Sequence, residues 1–190
     1  EIDHHASAKK LSAVPVVAYR IADAVGRPLA STASGGDWAF IKASGLHGMV
    51  SRWIALGYAA GNCIMAPNHQ WCYTPEKGTH WYDGPTEQFA PLYRFVRDHA
   101  DLFDGYQNHA DLTVVYSQKT YDREPGLLMN LCERLSKENV SYRLELGGDA
   151  VVDHPLSLER LREAKRAIIL KRQDFTEADA RVLTQLDPQR

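Results

Sequence analysis

Residues 62–84 read NCIMAPNHQWCYTPEKGTHWYDG, and this stretch decides how the rest of the chain is interpreted. Its short apolar run ends at Pro67, as is typical of a buried strand. Proline ends a strand because it has no backbone N–H to donate to a neighbouring strand. The segment that follows combines Trp and Tyr rings with His, Asn, Glu, Asp and Lys side chains. Aromatic rings cover apolar faces, while polar neighbours bind the rim of a ligand. The stretch therefore predicts a ligand-binding loop after a buried strand.

The composition excludes several classes of protein. The chain has 190 residues, of which 44% are hydrophobic and 24% charged, as expected of a globular rather than a disordered protein. Its formal net charge of -2 and the absence of a basic patch give no support for a nucleic-acid partner or a membrane surface. The three cysteines lack metal-site spacing, and we predict neither a bound metal nor a cofactor. Because the chain begins with Glu1 rather than Met, we expect a piece of a longer polypeptide, and its compartment, extracytoplasmic or not, stays open.

Short apolar strands alternate with amphipathic helices along the first hundred residues. The pattern predicts helices over 14–25, 41–60 and 86–103, with strands over 28–32 and 62–66. This alternation favours parallel βαβ units. Parallel strands end at one edge of a sheet, and in (β/α)8 barrels the functional loops lie there. We therefore expect the polar loops at 1–9, 33–40 and 67–85 to share the functional side.

A second domain is predicted from residue 107 onward, giving domains over 1–106 and 107–190. Strands over 112–116, 140–145 and 167–170 alternate with helices over 124–137, 158–164 and 176–186, as at the start of a doubly wound sheet. The domain has no GxGxxG fingerprint, so a dinucleotide site is not expected. It also shows no catalytic constellation. We predict that it packs against the first domain or mediates formation of a homo-oligomer.

Several motifs carry a resemblance to a known family. A Trp-rich loop follows the last strand of the first domain, residues 92–97 read LYRFVR, residues 102–106 read LFDGY, and a doubly wound domain comes next. This layout resembles clan A (β/α)8-barrel glycoside hydrolases, in particular beta-galactosidase-like and agarase-like enzymes with a flavodoxin-like, trimerisation-type domain. The resemblance implies the last three βα units of a TIM barrel, followed by the start of a flavodoxin-like domain. It also implies hydrolysis of O-glycosidic bonds in an oligo- or polysaccharide, with the general acid/base preceding Glu1.

The catalytic carboxylates are the weakest match to that family. Retaining glycosidases use two carboxyl groups about 5–5.5 Å apart. The resemblance implies a nucleophilic Glu at the end of the seventh strand, yet residues 28–40, PLASTASGGDWAF, contain none. Asp37 is the carboxylate of this segment, and the two preceding glycines let the backbone approach a ligand. Asp37 and Glu1 are the predicted catalytic residues, and a loop cap or turn residue is the alternative role of Asp37.

The predicted sugar contacts combine aromatic and hydrogen-bonding side chains. The resemblance implies that Trp71 forms the floor of a sugar subsite, and loop aromatics are expected to cover the apolar faces of neighbouring sugars. Amide and imidazole groups are expected to bond to sugar hydroxyls. The complete set is His5, Trp38, Asn68, His69, Trp71, Trp81 and Tyr82.

Two alternative functions stay open. The missing Glu after Thr32 suits a catalytically inactive, carbohydrate-binding relative. A metal-dependent hydrolase would instead use three ligands, namely Asp3, His69 and either His4 or His5. These residues show neither HxH nor HExxH spacing, so no metal-binding residue is assigned.

Overall fold

The protein is a mixed α/β structure with small parallel sheets. The computed structural model describes residues 16–66, 73–74, 78–79, 86–105 and 107–186. Among these residues the chain forms two compact units, one of residues 16–19 and 28–107 and the other of residues 20–27 and 108–186. Within the described ranges, no helix has the length and apolar character needed to cross a membrane.

The described part of the first unit is built around a pair of parallel strands, and helix α1 (Val16–Ala24) precedes them. Strand β1 pairs with β2 in the register Ala30↔Cys63 and Ser31↔Ile64. Two helices connect these strands, as a parallel crossover requires. The elements are β1 (Ala30–Ser31), α2 (Gly35–Ser44), α3 (Gly48–Ala59), β2 (Cys63–Ile64), the antiparallel hairpin β3 (Tyr73–Thr74) and β4 (Gly78–Thr79), α4 (Thr86–Asp98) and α5 (Ala100–Phe103).

Helix α2 corrects the sequence interpretation, which placed a polar loop at 33–40 and one helix over 41–60. The Ser34 hydroxyl oxygen accepts a hydrogen bond from the Asp37 backbone N–H at 3.2 Å, so the helix starts at Gly35 despite its glycines. Gly45 ends α2 in the left-handed conformation, with φ of 65°, and its N–H bonds to the Ile41 carbonyl. The expected single helix is therefore two.

The core of the first unit lies between α2, α3, β2 and α4. The Trp38 and Trp53 rings meet edge to face, with centroids 5.5 Å apart. Asn62 joins the amino ends of β1 and β2, because its side-chain oxygen accepts a hydrogen bond from the Leu29 N–H at 2.8 Å. Its amide group also donates to the Ala60 carbonyl. The buried residues of this core are Ala33, Trp38, Ile41, Val50, Trp53, Ile54, Ile64 and Phe89.

The second unit contains a three-stranded parallel sheet in the order β6-β5-β7. Its central strand is almost wholly buried, as its run of β-branched residues predicts. The chain passes from β5 to β6 on one side and then back across β5 to β7. The elements are β5 (Leu112–Ser117), α6 (Gln118–Arg123), α7 (Pro125–Lys137), β6 (Tyr142–Gly147), α8 (Leu158–Arg162), β7 (Arg166–Ile169), a 3-10 turn at Arg172–Asp174 and α9 (Glu177–Leu183).

A buried carboxylate makes the stability of this unit depend on pH. Glu145 on β6 is 4% exposed, and the Arg160 guanidinium lies 2.7 Å from its Oε1. Burial raises the pKa of Glu145 to about 7, against the attraction of Arg160 and Arg143. Between about pH 4.5 and 7 the folded protein therefore holds a proton that the unfolded chain has released. This contribution to stability is fully present below pH 4.5 and is lost as the pH rises through 7.

We expect urea unfolding to show wild-type stability about 2–3 kcal/mol lower at pH 8 than at pH 5 through this group. In Glu145→Gln this dependence should disappear, because the side chain no longer titrates. Glu133→Gln is the matched control, since Glu133 is a solvent-exposed carboxylate on α7 that pairs with Lys137. Equal pH dependence in wild type and Glu145→Gln would contradict the assignment.

Candidate functional site

Polar groups hold the carboxyl ends of β1 and β2 together in the first unit. The Thr32 hydroxyl, directly after β1, donates to the Met65 carbonyl directly after β2 at 3.2 Å. The indole N–H of Trp38 donates to the same hydroxyl at 3.3 Å. The segments that follow β1 and β2 therefore begin next to each other at the carboxyl ends of the strands. Parallel α/β sheets carry their functional groups at these ends.

Tyr93 on α4 fixes the exit of the chain from β2. Its hydroxyl donates to the Ile64 carbonyl at 2.5 Å and accepts from the Ala66 N–H at 3.1 Å. Burial raises the pKa of Tyr93 to about 12, so the hydroxyl keeps its proton at physiological pH and remains a donor. Ala66, the residue immediately before the aromatic-rich stretch (residues 67–85), is thus bound to a helix.

Removing this hydroxyl should loosen the exit from β2. We expect Tyr93→Phe to lower the free energy of unfolding by about 1–2 kcal/mol, because a part-buried carbonyl and N–H lose their partner. Tyr58→Phe is the control, because the Tyr58 ring packs against Tyr93 while its hydroxyl has no hydrogen bond to the described residues. Chemical denaturation of both variants checks the prediction, and equal losses would show that the two hydrogen bonds contribute nothing.

Asp37 lies in the first turn of α2 as a capping residue. The Ser34 hydroxyl donates to Asp37 Oδ2 at 2.8 Å, and the carboxylate is 0% exposed. Its Oδ1 has no hydrogen-bond partner among the described residues. A carboxylate at this position also interacts favourably with the helix dipole. Asp37 is therefore a residue of the helix start rather than the loop cap or turn residue of the alternative interpretation, and a fully buried carboxylate has no open path to a sugar carbon.

Trp38 is part of the core. Its side chain is 1% exposed and packs against Trp53 on α3. An indole buried to this extent offers no open face to a sugar ring. We therefore remove Trp38 from the set of predicted sugar contacts. It contributes instead to the rigidity of the carboxyl ends of the strands through its bond to Thr32.

The other predicted site residues lie outside the described part of the chain. Strands β3 and β4 form an antiparallel hairpin inside the aromatic-rich stretch, where the sequence predicted only loop. Across the described ranges, no group of three or more His, Cys, Asp and Glu side chains is placed to hold a metal ion. The predicted residues outside those ranges are Glu1, His5, Asn68, His69, Trp71, Trp81 and Tyr82.

Sequence reasoning missed two residues that shape this region. Ser34 could have been found, since a Ser followed three residues later by an acidic side chain is a helix-start signal. Tyr93 lies within the helix predicted over 86–103, and its hydroxyl contacts residues 27 and 29 positions away. No local sequence pattern reports such a distant hydrogen bond.

Comparison of the chain with protein-family models, with curated proteins and with solved structures found no match in any of the three.

Proposed function

We propose that this chain is part of a protein that hydrolyses O-glycosidic bonds in an oligo- or polysaccharide. In this proposal residues 1–106 form the last three βα units of a TIM barrel, and residues 107–190 begin a flavodoxin-like domain. The substrate would lie against the aromatic-rich stretch. The strand order β6-β5-β7 and the parallel β1–β2 pair support these assignments as far as the described strands extend.

One observation carries the proposal. The parallel strands β1 and β2 are tied together at their carboxyl ends by Thr32 and Met65, and the aromatic-rich stretch starts one residue after Ala66, which Tyr93 holds. Hydrolysis of a glycan requires that the residues that bind and orient the sugar are held in fixed positions by the fold. Trp71, Trp81 and Tyr82 would supply the apolar contacts, and His5, Asn68 and His69 the hydrogen bonds.

The capping geometry of Asp37 favours a second candidate function. With Asp37 held by Ser34 inside the fold, Glu1 remains as the candidate nucleophile of this chain. A protein without a working nucleophile at this edge would bind carbohydrate and leave it intact. Binding without cleavage is therefore the alternative that Asp37 supports.

The test is the release of new reducing ends from galactan, agarose, xylan and mannan by the encoded protein. We expect cleavage of at least one of these polysaccharides. Isothermal titration calorimetry with the same glycans identifies the second candidate, for which binding occurs and no reducing ends appear. Neither binding nor cleavage would contradict both functions.

Two carboxylate variants separate the catalytic candidates. We expect Glu1→Gln to lower kcat by at least about 10³-fold, as removal of a nucleophile does. Asp37→Asn should keep kcat within about tenfold, because an Asn oxygen still accepts from Ser34. Asp98→Asn, at an exposed carboxylate on α4, is the matched control. A loss confined to Asp37→Asn would reverse the assignment, and full activity in both would eliminate both candidates.

A further inference from the structure

A cavity of about 360 Å³ opens at the carboxyl ends of the three strands of the second unit. Its volume falls in the range of small-molecule sites, which is about 300–1,000 Å³. The cavity lies where the chain order reverses beside β5, and open parallel sheets bind ligands at such a reversal. Its lining comes from the segments after β5, β6 and β7: Lys119, Asp122, Arg123, Gly148, Asp149, Asp174, Phe175 and Thr176.

Asp174 is the central polar group of this cavity. Its side chain is 13% exposed, and Oδ2 accepts a hydrogen bond from the Thr120 hydroxyl at 3.2 Å. Lys119 Nζ and an Arg123 guanidinium nitrogen lie 3.7 and 3.8 Å from Oδ1, which is beyond hydrogen-bond distance. Both cations therefore keep N–H donors for a ligand.

The remaining carboxylates are held in fixed positions. Asp149 Oδ1 accepts from the N–H groups of Val151 and Val152, both at 2.8 Å. Asp122 Oδ1 accepts from the Gln118 amide at 2.8 Å. Each carboxylate has a second oxygen with further acceptor capacity. The cavity wall thus carries both hydrogen-bond donors and acceptors.

Close packing of glycine and aromatic groups forms the rest of the wall. A Cβ on Gly147 would lie 2.9 Å from Cδ1 of Phe175, so the ring rests against the backbone at the end of β6. A Cβ on Gly148 would lie 1.9 Å from the Val152 carbonyl oxygen. The absence of a side chain at Gly147 thus lets Phe175 pack against the end of β6, and its absence at Gly148 lets the loop after β6 fold back on itself. Phe175 lines the cavity beside the charged groups.

The balance of charges identifies the class of ligand. Two cationic and three anionic side chains line the cavity, so an anion would meet three carboxylates and a cation would meet Lys119 and Arg123. A neutral ligand with several hydroxyl groups avoids both repulsions, because each hydroxyl can donate to a carboxylate and accept from a cation. An apolar C–H face on the same ligand would suit the Phe175 ring.

We propose that this cavity is a binding site for a neutral, polyhydroxylated ring of monosaccharide size. The site belongs to the second unit and is separate from the glycan-cleaving site proposed for the first. It does not depend on hydrolysis by the first unit.

The test is titration of the ¹⁵N-labelled encoded protein with D-glucose, D-galactose and D-mannose, followed by NMR. We expect at least one neutral sugar to shift the amide signals of Lys119, Gly148 and Asp149. Lys119→Gln and Asp174→Asn should each weaken binding by about tenfold or more, since each removes a hydrogen bond to a charged group. Lys137→Gln, at an exposed lysine on α7, should leave the affinity unchanged.

Charged analogues test the choice of a neutral ligand. D-galacturonate and D-galactosamine should bind more weakly than the best neutral sugar. The proposal is overturned if no neutral sugar shifts these signals, if either charged analogue binds as tightly, or if both variants bind like wild type. Lys119→Gln, at a half-exposed side chain, keeps the test decisive if Asp174→Asn fails to fold. If both variants bind sugar as tightly as wild type, the sugar binds outside this cavity. That result would not contradict the proposed hydrolysis.

Discussion

Gly148→Ala should destabilise the protein by about 3 kcal/mol or more, a larger effect than we expect from the same change at Gly126 or Gly147. The added Cβ would lie 1.9 Å from the Val152 carbonyl oxygen and 2.7 Å from the His154 nitrogen. Both are backbone atoms, so no change of side-chain rotamer can relieve the contact. The turn after β6 would have to move. This movement would disrupt the hydrogen bond from the Gly148 N–H to the His154 carbonyl, which is 2.7 Å long.

Gly126→Ala provides the matched control. A Cβ on Gly126, in the first turn of α7, would meet only the Asn130 side-chain nitrogen at 3.8 Å, which is ordinary contact. Alanine also has the higher helix propensity, so this variant should be neutral or gain about 0.5 kcal/mol. Urea denaturation at one pH measures both changes. Similar stability of the two variants would show that the turn after β6 is not packed as described.

Trp38→Ala should lower the free energy of unfolding by about 3–5 kcal/mol, the usual cost of removing a large aromatic side chain from a core. The loss includes the edge-to-face contact with Trp53 and the bond of the indole N–H to Thr32. Because Thr32 also bonds to Met65, the variant should loosen the carboxyl ends of β1 and β2. Thermal and chemical denaturation measure the effect.

Leu102→Ala on α5 is the comparison for an exposed apolar side chain. Leu102 is 65% exposed, so its truncation should change stability by less than about 1 kcal/mol. A Trp38→Ala variant with wild-type stability and lost carbohydrate binding would contradict the core assignment. It would restore Trp38 to the set of sugar contacts.

The sequence predicted the strands of the second unit well and the region around α2 poorly. Strands β5, β6 and β7 come from apolar or alternating segments next to helical patterns, and each lies within two residues of its expected bounds at either end. Gly35 and Gly36 suggested a loop because glycine disfavours helix, yet the Ser34 cap was sufficient to start α2 there. The error came from weighing propensity above capping.

Site residues were harder to predict than strands. Trp38 was assigned to a ligand because its neighbours suggested a loop, while helical spacing with Ile41 would have turned both side chains toward the core. The cavity of the second unit combines residues from three segments, with Lys119 and Asp174 more than fifty positions apart. No local motif marks such a set, because only the order of the strands brings its members together.

The most direct measurement for the proposed carbohydrate site is photo-crosslinking with a diazirine-bearing oligosaccharide, followed by mass-spectrometric mapping of the labelled peptides. The glycan that is cleaved or bound most strongly in the polysaccharide panel supplies the probe, and the unlabelled glycan serves as competitor. We predict competed label in the peptides that span 67–85, which contain Trp71, Trp81 and Tyr82. Label confined to the second unit, or label that the competitor does not reduce, would contradict a carbohydrate site after β2.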